Sequence, residues 1–224
     1  MKVVVLSASP NINGLTAACA RAAVEAASGS GADAREIRLN SANVGLCRAC
    51  GNGWGTCLTE HHCQVEDGFQ AIHRQVVEAD ILVLVTPVYW GEMSESAKAF
   101  TDRLRRCEAS AGEGSRLKGR PVIAVAAAGG SGGGPPSCLQ SMERLIQHVH
   151  ALPIDLIPVN RWNRGEQIRA IGESTAAEVR GDGGRNRRRS GRIKQRIVAF
   201  VWMFLTPGQF RQRLKAADRR RNPG

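Results

Sequence analysis

"KVVVLSASPNINGLTAACARAAVEAAS", residues 2–28, joins an apolar stretch to an alanine-rich one through a short polar turn. Residues 2–9 are β-branched and apolar and end in small residues, the pattern of a strand covered on both faces. Residues 15–28 are dominated by Ala, a strong helix former. The unit then repeats along the chain. Strands are predicted over 34–40, 80–87, 120–130 and 153–160, and helices over 68–79, 94–107 and 136–152. Strands alternating with helices imply a parallel sheet with helices on both faces.

Right-handed crossovers then give an α/β fold with a doubly wound, five-stranded parallel sheet. The expected strand order is 2-1-3-4-5, a flavodoxin-like arrangement whose ligand sits at the carboxyl ends of the strands, where the order reverses. Fold alone does not give function, so the loops at those ends carry the rest of the reading.

The chain has 224 residues, which suits one domain with an appendage and a core that needs no covalent staples. The start, "MKVVVLSASP", lacks the basic opening, long apolar run and cleavage site of a secretory leader, so a cytoplasmic location is expected. Thiols there stay reduced, which makes a disulfide framework the least fitting use of the cysteines. The net charge of +11 is unevenly placed: residues 1–179 hold 17 Lys and Arg against 18 Asp and Glu, and residues 180–224 hold 14 against 2. The body is neutral and the tail basic, so the pI says little about what the body does. Domain boundaries are expected at 1–165 for the α/β body and 166–224 for a basic linker and amphipathic helical tail. Residues 179–192 read as a Gly/Arg linker. The tail's uninterrupted apolar run, Ile197 to Leu205, spans only about half a bilayer as a helix. Packing on the domain or on a second subunit, contact with an anionic membrane surface, and nucleic-acid binding remain open for it, the last resting only on Arg clusters.

Three loops lie at the predicted strand ends. The first, "SASPNINGLT" (7–16), offers hydroxyls, the Asn13 amide and a permissive Gly14 before a helix N-terminus, where an anion is favoured. It has no Gly-Lys-Ser/Thr for a triphosphate and no G-x-G-x-x-G for a dinucleotide, so a phosphate monoester fits best. A plain turn with Ser9 or Asn11 as helix cap is the alternative. The second, "TPVYWGEMS" (86–94), sets Tyr89 beside Trp90, able to flank a planar ring or simply to cover the sheet end. The third, "AAAGGSGGGPPS" (126–137), has five Gly, whose bare backbone can wrap a flat heterocycle or act as a flexible connector.

Together these segments resemble the NADPH-dependent FMN reductase and iron–sulfur flavoprotein family. "ADILVLVTPVYWGEMSESAKAFTDR" (79–103) is the most specific stretch, similar to the family's Ala-Asp…Pro-Val-Tyr-Phe/Trp-Gly…Lys-Ala-Phe-Asp-Arg segment; the likeness spans roughly residues 1–165. It implies an FMN-dependent oxidoreductase with FMN phosphate at Ser9, Asn11, Asn13, Gly14, Leu15 and Thr16. The ring would lie near Pro87, Val88, Tyr89, Trp90 and Gly91, and near Gly129, Gly130, Ser131, Gly132 and Gly133. Asn11 stands where the family usually has Arg, and Leu15 where it often has Asn, which implies a looser hold on the phosphate. NAD(P)H or a carrier protein is the implied donor, and a quinone, free flavin or iron–sulfur cluster the acceptor, in a homo-oligomer.

"CRACGNGWGTCLTEHHC" (47–63) places Cys47, Cys50, Cys57 and Cys63 in one Gly-rich loop. The donor set suits one [4Fe–4S] cluster or one structural zinc, and reduced free thiols are the third reading. The resembled proteins have a tighter spacing before the third Cys, so Cys57 departs from their pattern, while "CQVEDGF" (63–69) resembles their ending. His61 or His62 could replace a thiol, although adjacent His in a polar loop are usually solvated. Cys19, Cys107 and Cys138 fall on predicted helices and read as buried apolar residues; His148 and His150 read as structural. No catalytic triad or carboxylate pair stands out, which fits a cofactor that carries the chemistry. A non-catalytic flavodoxin-like module, with a zinc-stabilised loop and a docking tail, is the alternative.

Overall fold

A computed structural model describes residues 1–182; the expectations for the basic tail lie outside the described residues. Five strands form the parallel sheet: β1 (Lys2–Ser7), β2 (Asp33–Arg38), β3 (Ile81–Tyr89), β5 (Pro121–Ala128) and β6 (Leu152–Asn160). A two-residue strand, β4 (Glu92–Met93), pairs antiparallel with β3. The order is β2-β1-β3-β5-β6, so with β4 set aside the sheet has the expected 2-1-3-4-5 arrangement. Register places Val5 beside Val83 and Val83 beside Ile123, a β-branched row across the centre of the sheet. These side chains are buried, as two-sided coverage requires.

Among the described residues, six α-helical segments lie between strands and a seventh follows the last: α1 (Leu15–Gly29), the short turns α2 (Cys50–Gly53) and α3 (Thr56–Thr59), α4 (Phe69–Glu78), α5 (Glu95–Ala109), α6 (Pro135–His148) and α7 (Arg164–Val179). Helix α1 buries Cys19, Ala20, Ala23 and Ala27 in a core cluster with Val3, Val5, Val83 and Val85. Small side chains let the helix axis come close to the sheet. Helix α7 is absent from the sequence-based expectation. It packs on α1, with Ile171 and Thr175 fully buried and Gly172 beside Ala26. The compact unit therefore runs Met1–Gly183, past the boundary expected at 165. No helix among the described residues is long and apolar enough to cross a membrane.

Strand β3 also runs further than expected. Val88 and Tyr89 belong to it, and Trp90 and Gly91 form a two-residue hairpin into β4. Their φ values of +50° and +82° are those of a type I′ turn, whose twist matches the strands it joins.

A chain ending at Gly183 should keep this fold. One ending at Asn163 loses the cover of Ile171 and should be less stable by at least about 2 kcal/mol, the scale for one buried Ile. Urea unfolding of the two chains measures the difference.

Candidate functional site

The first loop folds on itself through its own polar groups. Asn11 N–H donates to Ser9 Oγ at 3.2 Å, and Asn13 N–H donates to Asn11 Oδ1 at 2.9 Å. Helix α1 starts after Gly14 with no side-chain cap. The alternative in which Ser9 or Asn11 caps the helix is therefore corrected: those side chains are already used inside the loop. The N–H groups of the first turn of α1 have no side-chain acceptor, and the dipole there favours an anion. Thr16 is buried in that turn, Ser9, Gly14 and Leu15 are half-buried, and Asn11 and Asn13 are exposed.

Ser94 ties the first loop to the second. Its Oγ donates to Ala8 O at 2.8 Å, and its N–H donates to Thr86 Oγ1 at 3.0 Å. The hairpin carries Tyr89, which is exposed, and Trp90, which is fully exposed. The third loop meets the hairpin backbone to backbone. Ser137 Oγ donates to Gly91 O at 2.8 Å. Gly134, at φ +92°, lies so close to Gly91 that a Cβ there would fall 2.9 Å from Gly91 Cα. Gly132 is buried beneath the indole of Trp162, on which the Arg161 guanidinium stacks at 4.3 Å. Gly129, Gly130, Ser131 and Gly133 are exposed around it. The carboxyl ends of β1, β3, β5 and β6 thus bring together an uncapped helix start, a hairpin bearing two aromatics, a glycine arch and an indole. Such a rim can hold an anion at one side and a flat ring at the other.

Sequence reasoning missed Gly134, Arg161 and Trp162. Gly134 had a signal, since it ends the Gly run just before Pro135 at the first position of α6. A lone Trp after a strand carries none.

The cysteine loop lies beside α5. Cys47, Cys50, Cys57 and Cys63 line one cavity together with Arg103, Arg106 and Val65. Its volume is about 20 Å³, room for a water-sized body, so a larger group requires the loop to move outward. All four thiols are free; Cys63 is buried and the other three are half-buried. Among the described residues, no three His, Cys, Asp or Glu side chains converge closely enough to hold a single metal ion. His61 does not line this cavity; its Nδ1 lies 3.1 Å from Ser110 Oγ, which in turn donates to Cys57 O at 2.7 Å.

A buried ion pair fastens both ends of this loop. Arg103 donates to Asp67 Oδ2 at 2.6 Å, to Gly45 O at 3.1 Å and to Val65 O at 2.8 Å. Asp67 accepts from Gly45 N–H and from Phe69 N–H, each at 2.9 Å. Burial works against the Asp67 charge, yet the hydrogen bonds from Arg103, Phe69 and Gly45 outweigh it and hold its pKa below the ordinary 3.8. Burial also opposes the Arg103 charge, and its contacts with Asp67 and Cys63 more than restore it. Arg106 donates to Gly53 O at 2.6 Å and stacks on Trp54 at 4.7 Å. Cys19, Cys107 and Cys138 are fully buried, as expected, and burial pushes their thiols up to about 12.

Residues 1–160 match a family described as NADPH-dependent FMN reductase. An iron–sulfur flavoprotein from Methanosarcina thermophila is 27% identical over 188 residues, covering 80% of this chain and 91% of that protein. An iron–sulfur flavoprotein from Archaeoglobus fulgidus is 30% identical over 104 residues, 46% of each chain, so that match spans less than half of the relative's length. The solved structure of an NAD(P)H:quinone oxidoreductase from Methanothermobacter marburgensis superposes with a TM-score of 0.60 at 15% identity, covering 79% of this chain and 95% of that one. This last likeness is one of fold.

Two substitutions test the geometry. Asp67→Asn leaves Arg103 buried without its counter-charge and should destabilise by about 3–5 kcal/mol at neutral pH. Because the Asp67 pKa is lowered on folding, its contribution is complete above 3.8 and lost as pH falls through the lower native value. The gap between wild type and variant in urea unfolding should therefore narrow in acid. Gly134→Ala forces a Cβ against Gly91 at a positive φ and should destabilise by about 1–3 kcal/mol.

Proposed function

Because the chain belongs to the NADPH-dependent FMN reductase family, and is thus a flavin-dependent oxidoreductase, we propose that it holds FMN across the three strand-end loops and passes electrons between NAD(P)H or a carrier protein and a second acceptor. The observation that carries this reading is the convergence of the uncapped α1 start, the Tyr89–Trp90 hairpin and the glycine arch at one sheet edge. In it the phosphate takes the first N–H groups of α1 with Ser9, Asn13, Gly14, Leu15 and Thr16. The ring lies against Pro87 to Gly91 and the backbone of Gly129 to Gly133, where few side chains obstruct it. FMN, when bound, supplies the hydride and electron chemistry. The protein's part is to orient the ring, to exclude water with its aromatics, and to leave backbone N–H groups near the ring edge. Membership in an enzyme family sets the non-catalytic alternative aside.

The same reading assigns Cys47, Cys50, Cys57 and Cys63 as thiolate ligands of a [4Fe–4S] cluster. Four free thiols around one cavity are a fitting donor set. A quinone, a free flavin or this cluster is the acceptor, and a cytoplasmic setting keeps the thiols reduced. A second copy of the chain over this edge would cover the exposed Ile12, Tyr89, Trp90 and Trp162.

Ser9→Ala and Thr16→Ala should each weaken FMN binding by about 1–3 kcal/mol, the range for hydrogen bonds to a charged group; flavin titration measures it, and unchanged affinity in the folded double variant refutes the phosphate site. For the cluster, Ala at any of the four loop cysteines should release iron and sulfide while FMN stays. Cys19→Ala, Cys107→Ala and Cys138→Ala should keep the iron. Zinc without iron in anaerobically prepared protein would replace the cluster with a structural ion.

A further inference from the structure

We propose that Arg103 and Arg106, two guanidiniums presented by one face of α5, raise the reduction potential of the group that the four cysteines hold; the inference rests on the cluster reading above. They stand three residues apart on the helix, so both project to the same side. Both line the cavity with the four thiols. Arg103 is 1% exposed, and its Nε, alone among buried side-chain nitrogens and oxygens of the described residues, has no hydrogen-bond partner. Its two terminal nitrogens are committed to Asp67, Gly45 and Val65, which fixes the plane of the guanidinium and leaves Nε–H unclaimed. Arg106 is held by Gly53 O and the Trp54 ring, and it makes no ion pair among the described residues. Its charge is therefore not cancelled by a carboxylate, whereas that of Arg103 is shared with Asp67.

The effect follows from charge and from hydrogen bonding. Four thiolate ligands make the site anionic, and one-electron reduction adds a further negative charge. A fixed cation in a poorly screened cavity favours the reduced form. An N–H donated to a ligand sulfur acts in the same direction. Neither arginine touches the flavin loops in this structure, so they act through the cysteine site and are positioning residues.

The test uses anaerobically prepared, iron-loaded full-length protein. Iron and sulfide are assayed, and the cluster potential is measured by EPR-monitored redox titration. Arg106→Gln removes the uncompensated charge without disturbing the Asp67 pair. It should keep full iron and shift the reduction equilibrium at least tenfold toward the oxidised form, about 59 mV for one electron. Arg103→Lys retains the charge but removes Nε–H, and should shift it in the same direction by less. Arg105→Gln, which alters a neighbouring residue outside the cavity, should leave the potential unchanged. Full iron with an unshifted potential in Arg106→Gln overturns the inference even if Arg103→Lys fails to fold, and so does an equal shift in all three variants. Wild-type protein that takes up no iron overturns the cluster reading itself, and this inference with it.

Discussion

The Arg103–Asp67 pair closes the longest excursion the chain makes from its sheet. Residues 45 and 65 to 67 are drawn together on one guanidinium, so everything between them projects as a single loop from a fixed base. Further along α5, Arg106 and Ser110 hold the loop's middle through Gly53 O and Cys57 O. The loop's helical turns are four residues each, too short to be stable alone, and its exposed Leu46, Trp54 and Leu58 give it no core of its own. A buried pair is a weak source of net stability, yet losing one partner is severe. The pair fixes where the loop sits rather than how stable the whole protein is.

Most of the sheet could be read from residue patterns because its strands are buried on both faces and rich in β-branched residues. The Val5–Val83–Ile123 row is as plain in the sequence as in the fold. Helix α7 escaped because its packing is made of small contacts. Only Ile168, Ile171 and Val179 supply large apolar surface, and the close approach to α1 depends on Gly172 and Ala26, which carry no periodic signal. Strand β4 escaped because two residues cannot show alternation. The turn that makes it uses Trp at a positive φ, where a reader of turn chemistry expects Asn or Gly.

Legibility of the site divides along the same line. Loops one to three were visible because hydroxyls, paired aromatics and glycines mark places where backbone must meet something other than side chains. Trp162 was not, since its importance lies in resting on Gly132, a contact between residues thirty positions apart. Arg103 and Arg106 were hidden for another reason. On an amphipathic helix, arginine normally marks the solvent face, and only the loop folded over α5 turns this stretch inward.

Helix α5 is also a ruler. Its start is anchored at the first strand-end loop through Ser94 and Ala8, and its middle turns carry the arginines at the cysteine cavity. From Ser94 to Arg103 an α-helix advances about 14 Å, a length set by residue number and not by side-chain choice. One residue inserted in this span would lengthen it by about 1.5 Å and swing both guanidiniums about 100° around the axis, off the cavity altogether. Substitutions along the outer face leave that spacing untouched. Over evolutionary time the outer face of this segment should accept new side chains freely while the segment refuses insertions and deletions, the reverse of what surface loops of this protein can tolerate.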